Sequence, residues 1–247
     1  MRSDKFLEPE IKSLIINHLI RKGVLSESDI VLSEFTVGNA ARRVDLAILK
    51  GNETWAFEIK SASDSLARLQ GQIDIYMKYF DKVFVVVAKK HVESALELIP
   101  SSVALWEIRN NSVVIKQKGK KCLIKRPESF IDMMGVPELI KIVNSKGLKT
   151  ASKRRKDLTK VVLNEADVSL LRKVAFETIT KRFELPSKMF FNKVTGRDVT
   201  PYDLSLLSRY KSQGVDSPAN IEEIISRLDT INSEVVFNLK KDVSNLV

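Results

Sequence analysis

The chain has 247 residues, 44% of them hydrophobic, enough to bury a substantial core in one large domain or two smaller ones. Its 41 Lys and Arg against 31 Asp and Glu leave a formal charge of +10, which favours an anionic partner such as nucleic acid. A single cysteine, Cys122, and two histidines, His18 and His91, exclude an internal disulfide and a zinc centre built on several thiolates, so any metal must be held by carboxylates, which suits Mg²⁺ or Mn²⁺.

No apolar run approaches the about 18 residues of a membrane span, and the opening MRSDKFLEPEIKS carries charge where a signal peptide needs an apolar stretch. The expectation is a cytoplasmic protein without a membrane partner. From Glu8 to about Lys22, Ile11, Leu14, Ile15, His18 and Leu19 recur at helical spacing and Gly23 marks the end. Three strand-like runs follow, IVLSEFTV (30–37), RRVDLAILK (42–50) and TWAFEIKSA (54–62), with KGNE forming a hairpin turn between the last two. LARLQGQIDIYMKYF (66–80) returns to helical periodicity. KVFVVVA (82–88) is apolar without alternation, as in a central strand covered on both faces. A helix near 91–99 and the strands VALWEIR and SVVIKQK, joined at Asn110-Asn111, extend the sheet.

After Pro127 helical periodicity takes over, in VPELIKIVNSK, RKDLTKVVL, ADVSLLRKVAFETITKRF, PYDLSLLSRYKSQ and IEEIISRLDTI. A boundary near 126–135 therefore divides an α/β part, residues 1–126, from a smaller mainly α-helical domain, residues 127–247.

The chemistry lies in RRVDLAILKGNETWAFEIKSASDS. Strand side chains alternate, so Glu58 and Lys60 share a face about 6.5–7 Å apart, opposite Trp55, Phe57 and Ile59. Asp45 lies on the preceding strand, with Val44, Leu46 and Ile48 pointing the other way. A tight hairpin brings Asp45 and Glu58 together, and two buried carboxylates tolerate one another only if a cation joins them. A divalent metal held by Asp45, Glu58 and the Ile59 carbonyl, with Lys60 orienting or deprotonating a water, is suited to phosphodiester hydrolysis. The bland alternative is a solvent-facing ion pair at a strand end.

Helix, three strands, helix, strand, with VD on the second strand and EIK on the third, resembles the PD-(D/E)xK nuclease superfamily, with Asp45, Glu58 and Lys60 at its signature positions. Val44 replaces the usual proline. The positions Arg43, Asp45, Ala47, Glu58 to Ser61, Asp64, Leu66, Arg68, Leu69, Gln72, Tyr76 and Phe80 to Lys82 are similar to those of a bacterial and phage family of small PD-(D/E)xK nucleases. Gln72 and Tyr76 also resemble the helix motif of RecB-type nucleases. The resemblance implies a restriction-endonuclease-like αβββαβ core with a mixed central sheet, a catalytic set Asp45, Glu58 and Lys60, and a polar contact from Gln72 and Tyr76 to the site. It implies a further acid, for which Glu34 is preferred over Glu10. Asp64 is read as the cap of the second helix.

KQKGKKCLIKR (116–126) and KGLKTASKRRK (146–156) each hold six basic residues and no acid. Together with Arg43 and Arg68, their Lys120, Lys121, Lys153, Arg154 and Arg155 are candidate phosphate contacts. Residues 136–163 resemble a SAP-like helix-extension-helix element, which implies sequence-tolerant DNA binding. The first expectation is a Mg²⁺- or Mn²⁺-dependent deoxyribonuclease in phage biology, phage defence or DNA processing. A catalytically silent DNA- or protein-binding module on the same fold, an RNA-cleaving enzyme and a homo-oligomer all remain open.

Overall fold

A computed structural model describes residues 6–37 and 42–207. Helix α1 spans Glu8–Arg21, with a proline in its first turn and the Glu10 side chain accepting the Leu7 N–H at 2.7 Å. Strands β1 (Ile30–Val37), β2 (Arg42–Lys50) and β3 (Glu53–Lys60) follow, then helix α2 (Leu69–Tyr79) and strand β4 (Lys82–Ala88). This is the order of elements expected from the sequence. Helix α3 (Val92–Leu98) and strands β5 (Ala104–Arg109) and β6 (Ser112–Gln117) complete the sheet.

The six strands lie in the order of the chain. β1–β2, β2–β3 and β5–β6 are antiparallel, whereas β4 pairs parallel with β3 and β5. The hairpin expected at KGNE pairs Lys50 with Glu53 around Gly51, whose φ is +53°. Asn110 and Asn111 both adopt positive φ, +49° and +58°, the conformation that matches a two-residue turn to the twist of its strands.

The helices beyond residue 126 are α4 (Pro127–Asp132), α5 (Val136–Ser145), α6 (Arg155–Glu165) and α7 (Val168–Val194), followed by a 3₁₀ segment, Pro201–Leu207. Three of these departed from expectation. α4 is only six residues long and offers no readable period. α7 continues past Phe183 and through Pro186, and Pro201–Leu207 is 3₁₀ rather than α-helical. The helix expected over residues 221–231 lies outside the described residues. Among the described residues no helix is long and apolar enough to cross a membrane.

Two hydrophobic cores sandwich the sheet. On one face, Leu69, Ile73 and Tyr76 of α2 meet Ala47, Ala56, Val83, Val85 and Val87, joined by Phe130, Leu139, Leu158 and Phe176 of α4 to α7. On the other, Ile11, Ile15, Ile16 and Leu19 of α1 meet Leu46, Ile48, Phe57, Phe84, Val86 and Trp106, joined by Phe190, Phe191 and Val194 of α7. The change at residue 126 is thus a change of secondary structure, and the later helices share the cores of the sheet. α7 passes the edge strand β1, where the Ser187 hydroxyl accepts the Val31 N–H at 3.0 Å and donates to the Val31 carbonyl at 3.1 Å. That contact covers an edge which would otherwise present unpaired backbone groups.

Asp81 ties the two halves together. Its buried carboxylate accepts the Thr54 N–H at 2.9 Å, the Ile124 N–H at 3.2 Å and the guanidinium of Arg172 on α7 at 2.5 and 3.1 Å. Removing it leaves two backbone N–H groups without their acceptor and the buried side of Arg172 without its carboxylate. Asp81→Ala is expected to lower the unfolding free energy by about 3–5 kcal/mol in denaturant titration. A loss below about 1 kcal/mol would contradict this role.

Candidate active site

Pairing between β2 and β3 runs from Lys50 opposite Glu53 to Leu46 opposite Phe57 and stops there, although β2 continues to Arg42 and β3 to Lys60. β3 stays paired with β4 as far as Lys60 opposite Val87. The gap opened between β2 and β3 is where Asp45 sits. Its Oδ2 accepts the Ile59 N–H at 2.7 Å, so a side chain takes a backbone donor that lies past the end of the β2–β3 ladder. The strict alternation expected around Asp45 fails at this point. Leu46 and Ile48 join the α1 core, whereas Val44 joins the α2 core.

Glu58 is only 1% exposed, the most enclosed of the charged side chains at the gap. Its Oε1 accepts Lys60 Nζ at 2.6 Å and Gln72 Nε2 at 2.6 Å, and the Tyr76 hydroxyl lies 2.8 Å from its Oε2. Lys60 Nζ also donates to Gln72 Oε1 at 3.1 Å, closing a ring of three side chains. The Tyr76 hydroxyl stands 2.9 Å from the Arg43 carbonyl oxygen, which ties α2 to the stretch of β2 that has parted from β3. Gln72 and Tyr76, one turn apart on α2, therefore face the carboxylate as a pair. Tyr76 is at once core and site: its ring is fully buried beside Phe80, and its hydroxyl reaches Glu58.

Burial, reinforced by the nearby charge of Glu58, pushes the Asp45 carboxyl up to about 7, against the Ile59 N–H, which favours its ionised form. Burial and the Glu58 carboxylate also push the Tyr76 phenol well above its usual range. Among the described residues no three His, Cys, Asp or Glu side chains gather as a metal cage, so the acids at the gap are the pair Asp45 and Glu58.

The other expected residues separate. Glu34 lies on β1 between the Ser33–Leu46 and Phe35–Val44 pairs, but its side chain is half exposed and pairs with Arg43 at 3.2 Å, and its φ is +58°. Glu10 is exposed and engaged in capping α1. Glu8, one of its neighbours on that helix, adds its charge to that of Glu58 in acting on Asp45. Asp64 does not cap α2: it closes the turn before it, accepting the Ser61 N–H and hydroxyl at 2.8 and 2.6 Å, and α2 begins only at Leu69. Arg68, Lys120, Lys153 and Arg154 are exposed. Lys121 pairs with Glu53 at 2.7 Å, and Arg155 donates to the Met134 and Ile131 carbonyls at the end of α4, so its guanidinium is held by backbone rather than presented to solvent.

The family of bacteriophage P4 protein cII matches residues 1–208. The chain belongs to that family. Protein cII of Enterobacteria phage P4 is 32% identical to it over 209 residues, covering 83% of this chain and 78% of the phage protein. A solved structure of a protein of unknown function from Silicibacter pomeroyi covers 59% of this chain and 99% of its own, at 19% identity and a TM-score of 0.38.

Two buried polar residues near Asp45 in this family member escaped the reading of its sequence. Lys12 on α1 is 4% exposed, pairs with Glu8 at 2.7 Å and donates to the buried hydroxyl of Ser33 on β1 at 3.2 Å. The signal for Lys12 was its position in the buried stripe of α1, four residues after Glu8 and four before Ile16. Ser33 carries no signal beyond being a polar residue inside an apolar strand.

The raised Asp45 carboxyl sets a pH dependence. Its value in the unfolded chain is near 3.8, so the stability linked to its neutral form is full below that pH and is lost as the pH rises through about 7. Asp45→Asn is expected to unfold at a higher temperature than wild type at pH 8, with the difference closing as the pH falls towards 4. A difference independent of pH in thermal melts would show that Asp45 is not the group responsible.

Proposed function

We propose that the chain is a divalent-metal-dependent phosphodiesterase that cuts nucleic acid, with DNA as the substrate and Mg²⁺ or Mn²⁺ as the cofactor. The observation that carries this reading is Asp45, set in a gap between strands beside a buried Glu58–Lys60 pair. It supports the resemblance to the PD-(D/E)xK superfamily read from the order and spacing of the motif.

The donor set fits a hard cation. Asp45 and Glu58 are close enough for the charge of one to hold up the carboxyl of the other, a repulsion that a cation between them would relieve. These two carboxylates and the Ile59 carbonyl would hold it, leaving positions for water and a substrate phosphate, as Mg²⁺ prefers. When bound, such an ion polarises the phosphate and supplies a water of lowered pKa.

The remaining work falls to the protein's own side chains. Lys60 is held at Nζ by Glu58 and Gln72 in a site where it is 6% exposed, so its charge is fixed in place before substrate arrives. From there the ammonium orients the attacking water and offsets charge developing on the phosphorus oxygens. Gln72 and Tyr76 fix the rotamer of Glu58 from α2, one at each carboxylate oxygen. Asp45 keeps one oxygen on the Ile59 N–H and the other for the cation. The exposed Arg68, Lys120, Lys153 and Arg154 are suited to backbone phosphates, and the turn at Gly147, with φ +61°, places an extended basic segment between α5 and α6.

One observation favours a second reading, a catalytically silent DNA-binding module: Glu58 Oε1 already accepts two donors and the Tyr76 hydroxyl lies 2.8 Å from Oε2, so both oxygens are engaged before a metal arrives. Incubation with linear and circular double-stranded DNA, single-stranded DNA and RNA, in Mg²⁺, Mn²⁺ or EDTA, separates the two. Cleavage of DNA that EDTA abolishes is expected, with Asp45→Ala and Lys60→Ala each at least about 100-fold slower. Folded wild-type protein that retards DNA in a gel but cuts no substrate supports the silent module, and preferential cutting of RNA moves the substrate.

A further inference from the structure

A second lysine stands beside the gap, on the side of the sheet away from Lys60. Lys12 belongs to the stripe of α1 that packs on the sheet, among Ile11, Ile15 and Ile16, and its side chain is 5% exposed. A lysine on a helix surface usually extends its stem so that the ammonium reaches water. Here the ammonium turns inward, and two of its three N–H donors have partners among the described residues, Glu8 Oε1 at 2.7 Å and Ser33 Oγ at 3.2 Å.

The surroundings tie this lysine to the gap. Its charge acts on Asp45, as does that of Glu8. Ser33 pairs with Leu46, the residue after Asp45, in the β1–β2 register, and it immediately precedes Glu34, whose positive φ is a strained conformation for a residue with a side chain. Ser33 and Lys12 therefore approach Asp45 from the α1 face, while Glu58, Lys60 and Gln72 approach from the α2 face. A phosphodiester entering the gap would meet one ammonium on each side. Glu8 is the replaceable partner: its side chain is 45% exposed, and an ion pair with one end in water yields readily to a phosphate.

We propose that Lys12 is a phosphate-binding residue of this site, released by Glu8 to the backbone of the bound strand, with Ser33 holding its ammonium in place. The inference rests on the reading that the gap takes a phosphodiester. It does not require that the bond be cut.

The test is the affinity for a short DNA duplex in EDTA, where no hydrolysis intervenes, measured across a salt series for wild type, Lys12→Met, Lys12→Arg and Glu8→Gln, with thermal melts to confirm folding. Loss of one phosphate contact is expected to reduce the slope of log K against log salt by about 0.9 in Lys12→Met, with Lys12→Arg restoring it. Glu8→Gln, which leaves Lys12 without its competing carboxylate, is expected to bind at least about twofold tighter. A purely structural Glu8–Lys12 pair would weaken both variants in the melts and leave the salt slope at the wild-type value, and that result overturns the proposal. No duplex binding by wild type overturns it as well. The expected slopes from a protein that cuts nothing in Mg²⁺ would uphold Lys12 and reject hydrolysis, whereas cutting with an unchanged Lys12→Met slope would do the reverse.

Discussion

A carboxylate that is 1% exposed in a sheet is stable only where donors replace the water it has lost, and at Glu58 those donors come from three places in the chain. Lys60 lies two residues along the same strand, and Gln72 and Tyr76 lie on α2. The network therefore fixes more than one side chain. It sets the rotation of α2 about its axis, because Gln72 and Tyr76 must both face β3, and through the Arg43 carbonyl it holds the stretch of β2 that has parted from β3 at the distance that leaves room for Asp45. Remove the network and the gap has no reason to keep its width.

The same constraint explains why the helices after residue 126 are bound to this part of the chain. The sheet that carries Glu58 needs both faces covered, and α1 and α2 alone do not cover them. α4 to α6 and the first half of α7 complete one core, and the end of α7 completes the other. Asp81, one residue before β4, and Ser187, beside β1, are the polar ties that set α7 along the sheet. The match to the P4 cII family spans residues 1–208, on both sides of residue 126, in keeping with that shared packing.

Much of the fold was legible because its strands and helices obey simple periods. β4 reads as a central strand from its uninterrupted apolar run, and both hairpins announce themselves through Gly51 and Asn110-Asn111. The pair Glu58 and Lys60 was legible for the same reason, since residues two apart share a face. Where periodicity breaks, the reading failed. Asp45 lies at the break between Val44 and Leu46, so its neighbours on β2 do not all point away from it. Asp64 sits before a turn rather than a helix, and α2 starts five residues later than Asp64 suggests. Lys12 and Ser33 were invisible because tertiary packing alone brings α1 and β1 to the gap. Arg155 looked like part of a basic patch, yet its guanidinium closes the end of α4 through the Met134 and Ile131 carbonyls.

The central claim is that the Asp45–Glu58 gap is a cation site, and the most direct measurement is calorimetric titration of the purified chain with Mn²⁺ in the absence of nucleic acid. One Mn²⁺ per chain is expected, with binding abolished in Asp45→Asn and in Glu58→Gln proteins whose melting shows that they fold. Wild-type protein that takes up no Mn²⁺, or variants that bind it as the wild type does, would place the metal elsewhere or nowhere and leave the buried network as a structural device alone.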